Sequence, residues 1–95
     1  MKSFELRRRT DSTVYRFHWA DRSDGVAGYR REDSDFWIVR SPALGWIAID
    51  DATGEVTGRP WDVPPDQQSD QPPEGDWVSK KGDKAYVYEL RYFPQ

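Results

Sequence analysis

Apolar and polar residues alternate with a period of two along several short stretches, and turn-forming residues separate the stretches. That pattern belongs to half-buried β-strands joined by hairpins. Residues 2–9 and 13–20 read as two strands around Thr10-Asp11-Ser12-Thr13, where Asp and Ser accept from nearby backbone N–H groups. A loop from Thr10 to Thr13 pairs Arg9 with Val14, Arg7 with Arg16, Leu6 with Phe17 and Glu5 with His18. One face then carries Phe4, Leu6, Tyr15, Phe17 and Trp19, with Arg8 the one charge among them; the other carries Glu5, Arg7, Arg9, Val14, Arg16 and His18.

Asp21 to Asp35 lacks an apolar repeat and reads as a loop, with room for a short helical turn. Phe36 to Arg40 is a compact apolar run ended by Ser41-Pro42-Ala43-Leu44-Gly45. Trp46–Asp50 and Glu55–Arg59 flank Asp51-Ala52-Thr53-Gly54, which suits a type I turn closed by a left-handed glycine. The string Ile49-Asp50, two residues, then Thr53-Gly54 is similar to one in immunoglobulin-like and cadherin-like repeats of bacterial surface proteins; it encodes a hairpin and assigns no family. Trp61 to Asp76 holds Pro64-Pro65 and Pro72-Pro73 among Gln, Asp and Ser, and reads as an exposed, mobile loop. A final hairpin turns at Gly82-Asp83, setting Trp77 opposite Tyr88 and Ser79 opposite Tyr86. The expectation is one all-β domain over 1–95, a meander, sandwich or partly open barrel of about seven strands with little or no helix. Its last strand, long for the domain, needs a partner or a shield, for which a homodimer or another protein partner is one answer.

Composition changes this picture in one respect. Leu, Ile and Met are few beside five Trp, five Tyr and four Phe, so the core is expected to be aromatic, and each buried indole or phenol must find a hydrogen-bond partner. No apolar run is long enough to cross a bilayer as a helix, and the first residues lack the apolar stretch of a secretory signal. No membrane partner and a cytoplasmic location are therefore expected. Absent cysteine and a single histidine remove thiolate chemistry and the usual zinc sites, and no metal or other cofactor is expected.

Charge is uneven: residues 1–48 carry 9 Lys and Arg against 7 Asp and Glu, whereas residues 49–95 carry 5 against 10. The acidic half can neutralise the basic one across the fold. The alternative is an anion on the Arg7, Arg9 and Arg16 face, since Arg7 beside Arg16 sets like charges together and guanidinium groups grip oxyanions. Nucleic acid is disfavoured by the acidic balance of the chain. His18 with Glu5 or Arg16 is the one candidate for acid–base catalysis, without a motif that places a nucleophile. Trp61, after Pro60 and beside the proline-rich loop, is a candidate surface for a sugar or a proline-rich peptide. The function expected is a small non-enzymatic binding or protein-interaction module, with candidate ligand residues Glu5, Arg7, Arg9, Arg16, His18 and Trp61.

Overall fold

Eight antiparallel strands pair in chain order and the last returns to the first, which closes the sheet into an up-and-down barrel. The computed structural model describes residues 2–22, 25 and 27–93, and the part of the Asp21–Asp35 loop expectation that falls on residues 23, 24 and 26 lies outside them. The strands are β1 (Phe4–Arg8), β2 (Val14–Asp21), β3 (Ala27–Arg31), β4 (Phe36–Ser41), β5 (Gly45–Asp50), β6 (Glu55–Pro60), β7 (Gly75–Lys81) and β8 (Lys84–Tyr92). Among the described residues, helical structure is limited to a 3-10 turn at Pro65–Gln67. β8 pairs with β7 over Lys84–Leu90 and with β1 over Tyr88–Tyr92, and this second pairing closes the barrel.

Two hairpins form as their turn chemistry dictates. Asp50 accepts from Ala52, Thr53 and Gly54, and Gly54 takes φ 74°, which closes the β5–β6 turn. The β7–β8 register sets Lys81 opposite Lys84, Trp77 opposite Tyr88 and Ser79 opposite Tyr86. The first hairpin keeps its faces but slips by two positions: Phe4 faces Phe17, Glu5 faces Arg16, Leu6 faces Tyr15 and Arg7 faces Val14. Arg9 leaves the ladder with β2, donates its backbone N–H to Val87 and reaches Asp76, while the Asp11 carboxylate accepts from the Thr13 N–H. An even slip leaves every side chain on its own face, so the apolar pattern alone does not discriminate the two registers.

The extra strand is β3, within the segment expected to be a loop. It contributes one large apolar side chain to the interior, Tyr29, and beside it stands Gly28, where a Cβ would come within 2.8 Å of Val39. Arg31 takes the next inward position as an apolar substitute, its guanidinium stacked over Tyr15 at 4.2 Å and Phe36 at 4.6 Å. A strand that buries its apolar surface through one tyrosine and an arginine stem carries no alternating signature.

The core is aromatic, as composition requires: Phe4, Phe17, Tyr29, Trp46, Trp77 and Tyr88 pack with Leu6, Ile38 and Leu90. Phe4 stacks on Phe17 at 5.3 Å and meets Tyr29 at 4.8 Å. Trp19, on the apolar face of β2, lies at the barrel end with its edge against Tyr29 and is exposed rather than core. Trp37 and Ile47 are buried on the opposite, outer side of β4 and β5, where the Arg22 guanidinium lies 5.0 Å over the Trp37 ring.

Residues 61–74 cross the barrel end opposite the β1–β2, β5–β6 and β7–β8 turns. The segment was expected to be an exposed loop, and the structure adds contacts between it and the core. Its residues are mostly exposed, but Pro72 is buried and the backbone carbonyls of the segment serve the core. The indoles of Trp46 and Trp77 donate to the carbonyls of Ser69 and Pro73, both at 3.0 Å, and the Tyr92 hydroxyl donates to that of Pro72. Gln68 locks the segment in place by accepting from the Trp46 N–H at 2.7 Å and donating to Val63 at 2.8 Å. Gly45 makes this approach possible, since it holds φ 75° and a Cβ there would lie 2.5 Å from the Gln68 side chain.

Burial pushes the Tyr92 hydroxyl pKa well above its ordinary value, with Tyr29 and Glu74 adding to the effect. The unfolded chain therefore releases this proton near pH ~10 while the folded protein keeps it, so the stability it contributes is full below about pH 10 and declines as pH rises further. Urea unfolding is expected to show Tyr92→Phe losing about 1–2 kcal/mol at neutral pH, through the orphaned Pro72 carbonyl, and declining less steeply than the parent above about pH 10. Parallel alkaline profiles for the two proteins would contradict this placement of Tyr92.

Candidate ligand-binding site

At the end where the tight turns lie, the barrel opens into a cavity of about 480 Å³. Leu6, Phe17, Ala48 and Trp77 form its apolar floor, and Tyr15, Phe36, Thr57, Ser79, Tyr86 and Tyr88 rise around it. Arg8 and Arg31 stand on the side of β1 and β3, while Asp50 and Glu55 stand on the side of β5 and β6. A bulge shapes that second wall: Ala48 pairs with Gly58 but Ile49 with Val56, so Thr57 is an extra residue at the rim. Gly58 keeps the wall thin, for a Cβ there would meet the Val78 carbonyl at 3.1 Å and Ala48 at 3.5 Å.

Arg8 organises the mouth. β1 alternation sends its side chain inward after Phe4 and Leu6, and its guanidinium lies among three tyrosine rings, 4.8 Å from the Tyr86 centroid and 5.5 Å from that of Tyr88. Nε donates to the Tyr88 hydroxyl and Nη2 to the Tyr15 hydroxyl, each at 3.1 Å, and Nη1 donates to Asp11 at 3.1 Å. The hydrogen bond to Tyr88 holds the guanidinium pKa above its ordinary value, against the opposing effect of burial. Arg31 donates from Nε to Asp33 at 2.5 Å and keeps its planar group between Tyr15 and Phe36. A cavity with an apolar floor and a few convergent polar groups at a barrel mouth has the anatomy of a small-molecule site.

The residues singled out in the sequence lie elsewhere. Glu5, Arg7, Arg9, Arg16 and His18 share the outer surface of β1 and β2. The slipped register removes the like-charge contact: Arg7 lies between Val14 and Glu89, and Arg16 faces Glu5. Arg9 is 2.6 Å from Asp76 and 3.9 Å from Glu89, and Arg7 is 3.5 Å from Glu5, so acidic residues of the second half meet this face. Arg16 lies 5.8 Å from the Phe93 ring. His18 meets Glu32 rather than Glu5: Ser3 Oγ is 2.7 Å from Nδ1 and Glu32 is 3.4 Å from Nε2, with both His18 and Glu32 about half exposed. Trp61 is 67% exposed, and its backbone N–H donates to Asp76.

Arg8, Arg31, Tyr15, Tyr86 and Tyr88 were not among the candidates. One signal pointed to the first of them: Arg8 is the single charge on an otherwise apolar strand face, the place where a buried polar group is informative. Among the described residues no group of three or more acidic or histidine side chains is arranged to hold a metal ion, and no helix is long and apolar enough to cross a membrane. Comparisons with protein-family models, with curated proteins and with solved structures found no match.

Proposed function

We propose that this chain is a non-enzymatic binding barrel that takes a small molecule into the cavity at its hairpin end. The observation that carries this reading is the open cavity of about 480 Å³, walled by tyrosines around Arg8 and floored by Leu6, Phe17 and Trp77. Eight strands enclose just enough space for side chains or for one small ligand, and here the far end is packed with aromatic residues while the near end is left open. The volume lies within the range in which pockets enclose small ligands. An anion on the outer Arg7, Arg9 and Arg16 face has less support, because Glu5, Asp76 and Glu89 already lie beside those arginines.

A second reading, catalysis, is favoured by the series Ser3, His18 and Glu32. With the imidazole proton on Nε2 toward Glu32, Nδ1 accepts from the Ser3 hydroxyl, which is the arrangement of a nucleophile, a base and an orienting carboxylate. His18 and Glu32 are about half exposed on the outer surface, away from the residues that line the cavity, so binding at the mouth is the stronger reading.

Titration with anilinonaphthalene sulfonate is expected to give saturable fluorescence at one site, and Ala48→Phe, which fills the cavity floor, is expected to weaken it by about tenfold or more while the melting transition stays cooperative. Binding that is unsaturable, or indifferent to Ala48→Phe, would contradict the assignment of the mouth. Hydrolysis of nitrophenyl acetate is expected to proceed equally with the parent and with Ser3→Ala. A parent rate above buffer that Ser3→Ala abolishes would favour the catalytic reading instead.

A further inference from the structure

The wall of the cavity formed by β1, β2 and β8 presents directed protons. A phenol that accepts from a guanidinium keeps its own proton for another acceptor, and Tyr15 and Tyr88 both accept from Arg8. Neither hydroxyl donates to another described protein group. Arg8 thus orients two phenols as donors at the edge of the apolar floor, where a ligand oxygen would meet them. Arg31 stands next to Tyr15 and adds a second positive charge on the same side, with its guanidinium nitrogens beyond Nε not engaged by Asp33.

Charge balance narrows the ligand further. Asp11 and Asp33 lie on the exposed sides of the two arginines, Asp50 and Glu55 occupy the opposite wall, and Lys80 adds a cation on the β7 side. The site therefore offers hydrogen-bond donors of fixed direction and a gradient across the mouth rather than a large positive excess. Such an arrangement suits a singly charged, planar head group better than a phosphate dianion, which would meet the carboxylates around the rim. Below the donors, Leu6, Phe17 and Trp77 bound the cavity with apolar side chains against which the remainder of the molecule would lie.

We propose that the ligand of this cavity is a small apolar monocarboxylate, its head accepting from the Tyr15 and Tyr88 hydroxyls beside Arg8 and Arg31 and its body resting on Leu6, Phe17 and Trp77. This assignment rests on the reading of the barrel mouth as the binding site. It makes Tyr15 and Tyr88 the residues that select the head group, and Arg8 the residue that positions them.

The test uses three molecules of one shape, naphthoate, naphthamide and naphthylmethylammonium, titrated calorimetrically into the full chain at neutral pH. Naphthoate is expected to bind about tenfold tighter than either of the others, in keeping with charge-assisted hydrogen bonds to its head. The Tyr15→Phe, Tyr88→Phe double variant retains both rings and is expected to lose that preference, its affinity for naphthoate falling to about its affinity for naphthamide. Equal affinity of the parent for all three, or a preference for naphthoate that survives in the double variant, would overturn the monocarboxylate assignment and leave the mouth as a binding site. No binding of any of the three to the parent at millimolar concentration would overturn the reading of the mouth itself, and this assignment with it.

Discussion

An aromatic core brings its own polar atoms into the interior, and the placement of those atoms governs the rest of this barrel. Few aliphatic residues are available, so Trp46, Trp77, Tyr29, Tyr88 and Tyr92 supply the packing, and their indole and hydroxyl protons need acceptors that a closed strand ladder does not provide. Leaving one such group buried without a partner costs about 1–3 kcal/mol, a large fraction of what a domain of this size retains. The two ends of the barrel answer this demand differently. At one end the carbonyls of Ser69, Pro72 and Pro73 accept from Trp46, Tyr92 and Trp77; at the other Tyr15 and Tyr88 accept from a guanidinium, and their own protons are left to the open cavity.

That difference in partner separates a structural end from a candidate functional one. At the strapped end carbonyl acceptors take the protons of Trp46, Trp77 and Tyr92. Arg8 does the reverse, since it donates to the phenols and leaves their protons to be used by something else. A proline-rich strap is suited to its own task for a related reason: proline lacks the N–H that would itself need a partner but keeps the carbonyl that the core requires. On the outer surface the charges are largely matched within the chain, with Arg9 on Asp76, Arg30 on Asp35 and Arg22 on Asp51, which leaves the mouth as the place where polar groups converge on open space.

The parts of the fold legible in the sequence were those governed by local chemistry. Asp50 and Gly54 determine the β5–β6 turn, and Gly82 with Asp83 determines the β7–β8 register, because turn residues act over a few positions. The first hairpin was legible in its faces and not in its register, since the shift came from contacts of Arg9 with Val87 and Asp76, distant in sequence. Closure of the barrel rests on the pairing of β1 with β8, which no local pattern encodes. β3 stayed hidden because Arg31 fills an inward position through its stem and stacked plane. The same mechanism concealed half of the candidate site, whereas Arg8 stood out as a charge on an apolar face. In residues 61–74 composition spoke to the exposure of the side chains and was silent about the backbone carbonyls that accept from the core.

Hydrogen exchange at the indole N–H groups, followed by nitrogen-resolved NMR, tests the central claim most directly. If the strap carbonyls are the acceptors that allow an aromatic core, the Trp46 and Trp77 indole protons exchange orders of magnitude more slowly than that of Trp61, which is 67% exposed. Trp46 and Trp77 exchanging as fast as Trp61 would contradict the account.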